Sequence, residues 1–307
     1  MKILITGGAG FIGSSLADAL IEKGDDVVIV DNLVTGKKEY INSQAKFYEV
    51  DICSTEIEDI FAKEKPDYVF HFAAQIDVRK SVDDPVFDNK VNALGSLNIF
   101  QTSAKNKVKK VIFASTGGAL YGDVESPAKE EDLIEPLSPY AIHKYTAERY
   151  LEFLKEVHGL NYAVLRLANV YGIRQYKGGE CGVIGIFTSN AVEKKQSIIY
   201  GDGSKTRDYV YISDVVNAFI LAMKKDCSGV FNIGTEKETS VLDIVKAIEN
   251  TTKEKFDYKC ENDRPGEVKR SVLCCQNAHD LLGWKAEVDL KEGAQKTLKW
   301  IESIKSI

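Results

Sequence analysis

Short apolar runs alternate with amphipathic stretches along the first half of the chain. Lys2–Thr6, Val27–Val30, Lys46–Val50, Tyr68–Phe72 and Lys110–Ala114 are short, rich in β-branched or aromatic residues, and predict strands. Phe11–Lys23, Glu56–Lys63 and Val86–Lys105 carry helical periodicity between them, and Gly24 closes the first as a C-cap. Strands that alternate with helices make parallel βαβ units with right-handed crossovers. A run as uniformly apolar as Val27-Val28-Ile29-Val30 suits a sheet covered on both faces. Pro139 to His158 then predicts one long helix, with proline near its start, and Tyr162–Leu167 the next strand. After that the pattern loosens. Gly172–Gly185 has no clear period, and helices are expected near Ile186–Lys195, Ser213–Lys224, Val241–Asn250 and Leu290–Ile304. The expected fold class is α/β: a doubly wound parallel sheet in residues 1–168, joined by a return segment near 209–234, and a smaller C-terminal α+β lobe over 169–307.

Composition adds limits rather than direction. A chain of 307 residues with 44% hydrophobic and 28% charged content can bury a sizeable core without staples. Its net charge of −6, with the signs mixed, argues against a nucleic-acid or membrane-surface partner. No apolar run reaches the roughly 18–20 residues of a membrane helix. The apolar start at Met1 breaks into glycines within a few residues, which makes a poor signal peptide, so a cytoplasmic protein is expected. Cys53, Cys181, Cys227, Cys260, Cys274 and Cys275 form no Cys-x-x-Cys pair, and the four histidines show no ligand spacing, so no metal is expected. Adjacent Cys274 and Cys275 are read as two thiols on opposite faces of a strand.

The first strand runs into Gly7-Gly8-Ala9-Gly10-Phe11-Ile12-Gly13 and then a helix. Glycine allows the tight turn and the close approach of backbone to a pyrophosphate, and the helix N-terminus offers free N–H groups and a positive dipole end. With a strand before and a helix after, this is a Rossmann-type dinucleotide site. Asp31 ends the second strand, where a carboxylate accepts the adenosine ribose hydroxyls and repels a 2′-phosphate, which favours NAD over NADP. The alternative for Asp31 is a turn residue in Asp31-Asn32. Asp51-Ile52 follows the third strand at the adenine edge, and Phe72-Ala73-Ala74, after the fourth, is small enough for backbone to pack on a cofactor.

Tyr140 and Lys144 stand four apart at the start of the long helix, so both lie on one face. An ammonium beside a phenol stabilises phenolate and makes a base able to take a hydroxyl proton near neutral pH. Taken alone the spacing equally fits a solvated helix pair. Its setting is what counts, because a strand ending in Ser115-Thr116 puts a hydroxyl at the carboxyl edge of the sheet, where such sheets bind ligands.

These residues together resemble the extended short-chain dehydrogenase/reductase family, over nearly the whole chain, and within it the nucleotide-sugar epimerases. Tyr121-Gly122 and Asn32-Leu33 add to the match. The resemblance implies NAD-dependent 4-epimerisation of a UDP-hexose through a transient 4-keto sugar, acting on UDP-glucose and UDP-galactose and with room for the N-acetyl forms. It implies Tyr140 as the base, Thr116 as its hydroxyl partner, and Lys144 on the nicotinamide ribose. Asn92 joins the cofactor set. Asn169, in Arg166-Leu167-Ala168-Asn169-Val170-Tyr171-Gly172, falls to the sugar nucleotide. Arg207, in Arg207-Asp208-Tyr209-Val210, and Arg264, in Arg264-Pro265-Gly266-Glu267, fall to the diphosphate, with Glu267 beside it. Arginine forks bind such oxygens bidentately; the alternative for both is a surface ion pair. Ser271 is placed as a gate on the sugar 2-position, or else merely ends a turn. Related dehydratases carry Asp-Glu where Gly117-Gly118 stand, so elimination lacks its acid and base. Ile173-Arg174-Gln175 departs slightly from the family's Pro-Arg-Gln. The resemblance also implies a homodimer, with Val86–Lys105 and Tyr140–His158 at the interface. The alternatives are a UDP-glucuronate epimerase or decarboxylase, and a silent NAD-sensing protein, which would be expected to lack Tyr140 or Lys144.

Overall fold

A computed structural model describes residues 1–175, 182–263 and 268–305. Six strands follow the sequence order: β1 (Lys2–Thr6), β2 (Asp26–Asp31), β3 (Lys46–Glu49), β4 (Tyr68–His71), β5 (Lys110–Thr116) and β6 (Tyr162–Leu167). With Gly229–Ile233 they form a seven-stranded sheet in the order Gly229–Ile233, β6, β5, β4, β1, β2, β3. Every pairing in it is parallel. The order reverses between β1 and β4, and the carboxyl ends of those two strands flank the crevice where such sheets take their ligands.

The unbroken apolar runs are explained by two cores, one on each face. Ile3, Ile5, Val27 and Ile29 join Leu16 and Leu20 of helix α1 (Phe11–Glu22) and Phe219 of the helix Ile212–Lys224. Leu4, Val28 and Val30 join Ile57 and Phe61 of helix α2 (Glu56–Glu64), Ile99 and Phe100, and Leu151 and Leu154 of the long helix Pro139–His158. Alternate residues of one strand therefore feed opposite cores.

Three expectations are corrected. The stretch expected as one helix over Val86–Lys105 is a short helix Pro85–Asn89, a π turn Lys90–Gly95 and a helix Ser96–Lys105. It is preceded by a further short helix, Val78–Asp83. Asp84 caps Pro85–Asn89 by accepting from Phe87 N–H, with proline at the first turn. The helix expected from Ile186 begins at Val183, behind Gly182. Cys274 and Cys275 lie outside any strand, just before the π turn Ala278–Leu282. Cys275 is buried, and its sulfur accepts from Gly234 N–H at 3.1 Å.

Candidate active site

The glycine loop between β1 and α1 is shaped by backbone packing. Gly7 has φ +69°, and a Cβ there would lie 2.6 Å from the Ala73 nitrogen. A Cβ on Gly13 would lie 2.3 Å from the Gly7 carbonyl oxygen. Neither position accepts a side chain, so the loop and the chain leaving β4 are pressed together. Helix α1 starts at Gly10 with no side-chain cap, which leaves first-turn N–H groups at Phe11, Ile12 and Gly13 to face a pyrophosphate. Asp31, buried at the end of β2, accepts from Ala9 N–H at 3.0 Å and Leu33 N–H at 2.8 Å. Burial raises its pKa, and those two N–H groups oppose the rise. Its carboxylate is thus held at the lip of the glycine loop, with lone pairs left over for ribose hydroxyls. Asn32 donates to Asp51 at 2.7 Å, tying the ends of β2 and β3 together. Ile52 is buried, and the side chain of Phe72 packs on Phe219 with ring centroids 4.7 Å apart, while Ala73 and Ala74 are part-exposed. These residues fit a dinucleotide.

Tyr140 lies in the first turn of the long helix, which opens on Pro139 with Ser138 as its N-cap. Lys144, one turn on, is 3% exposed, and its ammonium sits 4.2 Å from the centre of the Phe113 ring of β5. Burial pulls the ammonium down to about 7, while Glu148 and Asp88 act to keep its proton. Strand β5 runs two residues further than the expected Ala114 and carries Ser115 and half-buried Thr116 to the same sheet edge.

The segments expected to hold substrate are knitted to that edge by backbone hydrogen bonds. Gly117 and Gly118 N–H donate to Leu167 C=O at 2.8 and 3.2 Å, Asn169 N–H to Asp208 C=O at 2.9 Å, and Asp208 N–H to Ser271 C=O at 2.9 Å. Asn169 is exposed, with its amide oxygen 3.3 Å from where a Gly118 Cβ would stand. A Cβ on Gly117 would lie 2.5 Å from the end of the Leu273 side chain, which would have to shift to admit one. Arg207 pairs in register with Ser271 and donates to Thr206 C=O at 2.8 Å. Ser271 is buried on that short strand. Arg264 and Glu267 lie outside the described residues.

Asn92, expected in the cofactor set, is bonded to the loop that follows β4. It is 1% exposed, accepts from Gln75 N–H at 2.9 Å, and donates to Gln75 C=O at 2.8 Å and to Asp88 at 2.9 Å. It holds the loop that follows β4. Beneath that loop His71 accepts from Thr6 Oγ1 at 2.6 Å and donates to Ser96 Oγ at 2.9 Å, since the Ser96 hydroxyl itself donates to Asn92 C=O. Burial, and Lys144 nearby, hold His71 well below its usual pKa, so the ring is neutral. A second buried group was also missed. Arg166 of β6 binds Glu148 of the long helix at 2.7 Å, Ser115 Oγ donates to the same carboxylate, and Arg166 donates to the Tyr121 hydroxyl at 2.7 Å. The signal was available: an arginine inside the apolar strand Tyr162–Leu167 requires a buried partner. Among the described residues no cluster of His, Cys, Asp and Glu could hold a metal ion, and no helix is long and apolar enough to cross a membrane.

Residues 3–234 match the NAD dependent epimerase/dehydratase family. The chain is 38% identical to a UDP-glucose 4-epimerase of Mycolicibacterium smegmatis over 99% of both chains. It superposes on the crystal structure of UDP-glucose 4-epimerase with UDP-glucose from Thermotoga maritima with a TM-score of 0.95, at 47% identity and 99% coverage of both. It also superposes on UDP-N-acetylglucosamine 4-epimerase from Methanobrevibacter ruminantium M1, in complex with UDP-N-acetylmuramic acid, with a TM-score of 0.94, at 35% identity, covering 99% of this chain and 98% of that one.

Proposed function

The chain belongs to the NAD dependent epimerase/dehydratase family, and on that premise we propose that it interconverts UDP-glucose and UDP-galactose by inverting sugar carbon 4. The observation that supports the reading is a shared sheet edge: the glycine cradle and Asp31 follow β1 and β2, Thr116 ends β5, and Lys144 of the helix that carries Tyr140 packs on Phe113 of β5. NAD, held by the glycine cradle and Asp31, would supply the hydride acceptor and donor for sugar carbon 4.

The chain's own residues do the rest. First-turn N–H groups at Phe11–Gly13 hold the pyrophosphate, and Asp31 the adenosine ribose. Tyr140, as phenolate, removes the 4-hydroxyl proton and later restores it. Thr116 hydrogen-bonds the same oxygen, and Lys144 holds the nicotinamide ribose while its charge favours the phenolate. Asn169, Arg207, Arg264 and Glu267 grip the nucleotide diphosphate and leave the sugar free to turn. Ser271, beside Arg207, leaves space at the 2-position for an N-acetyl group. We place the enzyme in the cytoplasm, in galactose metabolism, as a homodimer.

Incubating the purified protein with a panel of UDP-sugars, without added NAD, tests the reading. Expected are UDP-galactose from UDP-glucose, and NAD(H) in the supernatant after denaturation. Tyr140→Phe should keep the nucleotide and lose about 10²–10⁴-fold in turnover. A product formed only from UDP-glucuronate, or a Tyr140→Phe enzyme with near-normal rate, would defeat it.

A further inference from the structure

The long helix that carries Tyr140 and Lys144 is anchored at one more point. His143, one residue before Lys144, gives its Nδ1 proton to Asp88 of the short helix Pro85–Asn89 at 2.6 Å. Asp88 is 0% exposed and the His143 side chain 14%. The other carboxylate oxygen of Asp88 accepts from Gln75 Nε2 at 2.7 Å and Asn92 Nδ2 at 2.9 Å. Asn92 in turn brackets both backbone groups of Gln75, and Gln75 binds Asp77 through both ends of its amide, at 2.7 and 2.9 Å. One buried carboxylate thus joins three pieces: the loop after β4 that walls the cofactor crevice, the π turn, and the helix bearing the base. A buried carboxylate is stable only with its acceptor sites filled, and three side-chain donors fill these.

We propose that Asp88 and His143 are positioning residues for the epimerase reaction, with Asp88 fixing the loop after β4 and the π turn against the Tyr140–Lys144 helix. This inference rests on the epimerase reading of the site. Two carboxylates act on Lys144 to keep its proton, Glu148 more strongly than Asp88. His71, from β4, is neutral. Glu148, on the same helix, is matched by Arg166. Phe113, from β5, offers only its ring face. Asp88 faces neutral amides and an imidazole.

Asp88→Asn separates charge from shape. Its amide oxygen can still accept from Gln75 and Asn92, and its NH₂ can face His143 in the tautomer that accepts at Nδ1. The anchor survives while the charge goes. Removing a negative charge lowers the pKa of every ionisable neighbour, so phenol and ammonium shift together. Expected in D88N is a pH profile of kcat whose acid and alkaline limbs both move about one unit toward lower pH, with NAD content unchanged. Limbs that stay where the wild type has them, at any height, overturn the role of the charge.

His143 tests the anchor from its more exposed side, and decides the matter alone if D88N does not fold. H143N keeps a donor near the Nδ1 position; H143L keeps none. H143L should lose about tenfold in kcat at unchanged KM for the UDP-sugar, and H143N should recover most of it. Equal behaviour of the two variants overturns the anchor. A wild type that epimerises nothing would instead defeat the epimerase reading, and is read before either variant.

Discussion

Lys144 is placed where its charge is costly. The ammonium is buried against Phe113, and burial brings it down to about 7 from an ordinary 10.5. Below about pH 7 folded and unfolded chains both hold this proton, and the full cost of burying the charge is present. As pH rises from there toward 10.5 only the unfolded chain keeps it, so the folded state gains stability through that window. Lys144→Met removes the titration. The variant should therefore melt above the wild type at pH 6, and the gap should close as pH approaches 9, at equal nucleotide content; a gap that is absent or widens with pH contradicts the assignment. The same substitution should depress turnover, so that one residue trades stability for chemistry. Ser271 carries a different kind of consequence. It is buried beside Arg207, and if it gates the sugar 2-position as proposed, a tyrosine there would fill the space of a 2-acetamido group. Wild type is expected to epimerise both UDP-glucose and UDP-N-acetylglucosamine. Ser271→Tyr should lose the N-acetylated substrate by about tenfold or more and keep the other. Equal loss of both, or no change, removes Ser271 from the 2-position.

Among the elements, β5, β6 and the long helix are joined by the Arg166–Glu148 pair, with both side chains about 5% exposed or less. Breaking one side of such a pair strands a buried charge and costs about 3–5 kcal/mol, whereas replacing both by apolar groups recovers much of it. Arg166→Met should lower the urea midpoint by that measure at an unchanged slope, and adding Glu148→Met should restore a large part. A single variant as stable as the wild type would show the pair to be idle. Ser115 leans on the same carboxylate one residue before Thr116, so the pair also steadies the end of β5. The ease of reading these elements from sequence varied for physical reasons. β1, β2, β5 and β6 were legible because burial on two faces writes an unbroken apolar run. The glycine loop was legible because a Cβ on Gly7 or Gly13 would lie 2.3–2.6 Å from backbone atoms, which leaves no residue but glycine. The π turn at Lys90–Gly95 was hidden, since one extra residue per turn leaves the apolar spacing nearly helical. Asp88 and His143 were hidden because their partners come from segments far apart in sequence. Cys274-Cys275 misled because adjacency alone says nothing of strand membership.

At the scale of the molecule, the long helix has two faces with different obligations. Leu151 and Leu154 point into the core, while Ile142, Phe153 and Val157 are 47%, 53% and 57% exposed at helical spacing. The helix Pro85–Asn89 and the π turn that pack beside it add Val86 at 78% and Leu94 at 53%. An apolar face built from neighbouring helices is the surface a second copy would cover, in line with the proposed homodimer. Phe153, a large aromatic on this face, is the natural anchor, and such anchors typically contribute 2 kcal/mol or more to association. Phe153→Asp should therefore raise the dimer dissociation constant by roughly thirtyfold or more, read by sedimentation across a dilution series. The exposed stripe and the Tyr140–Lys144 edge belong to one helix, so release of the partner should also be felt in the site. Melting temperature should depend on protein concentration in the wild type and lose that dependence in F153D. If F153D sediments as the wild type does, this face is not the interface, and the exposed stripe requires another partner.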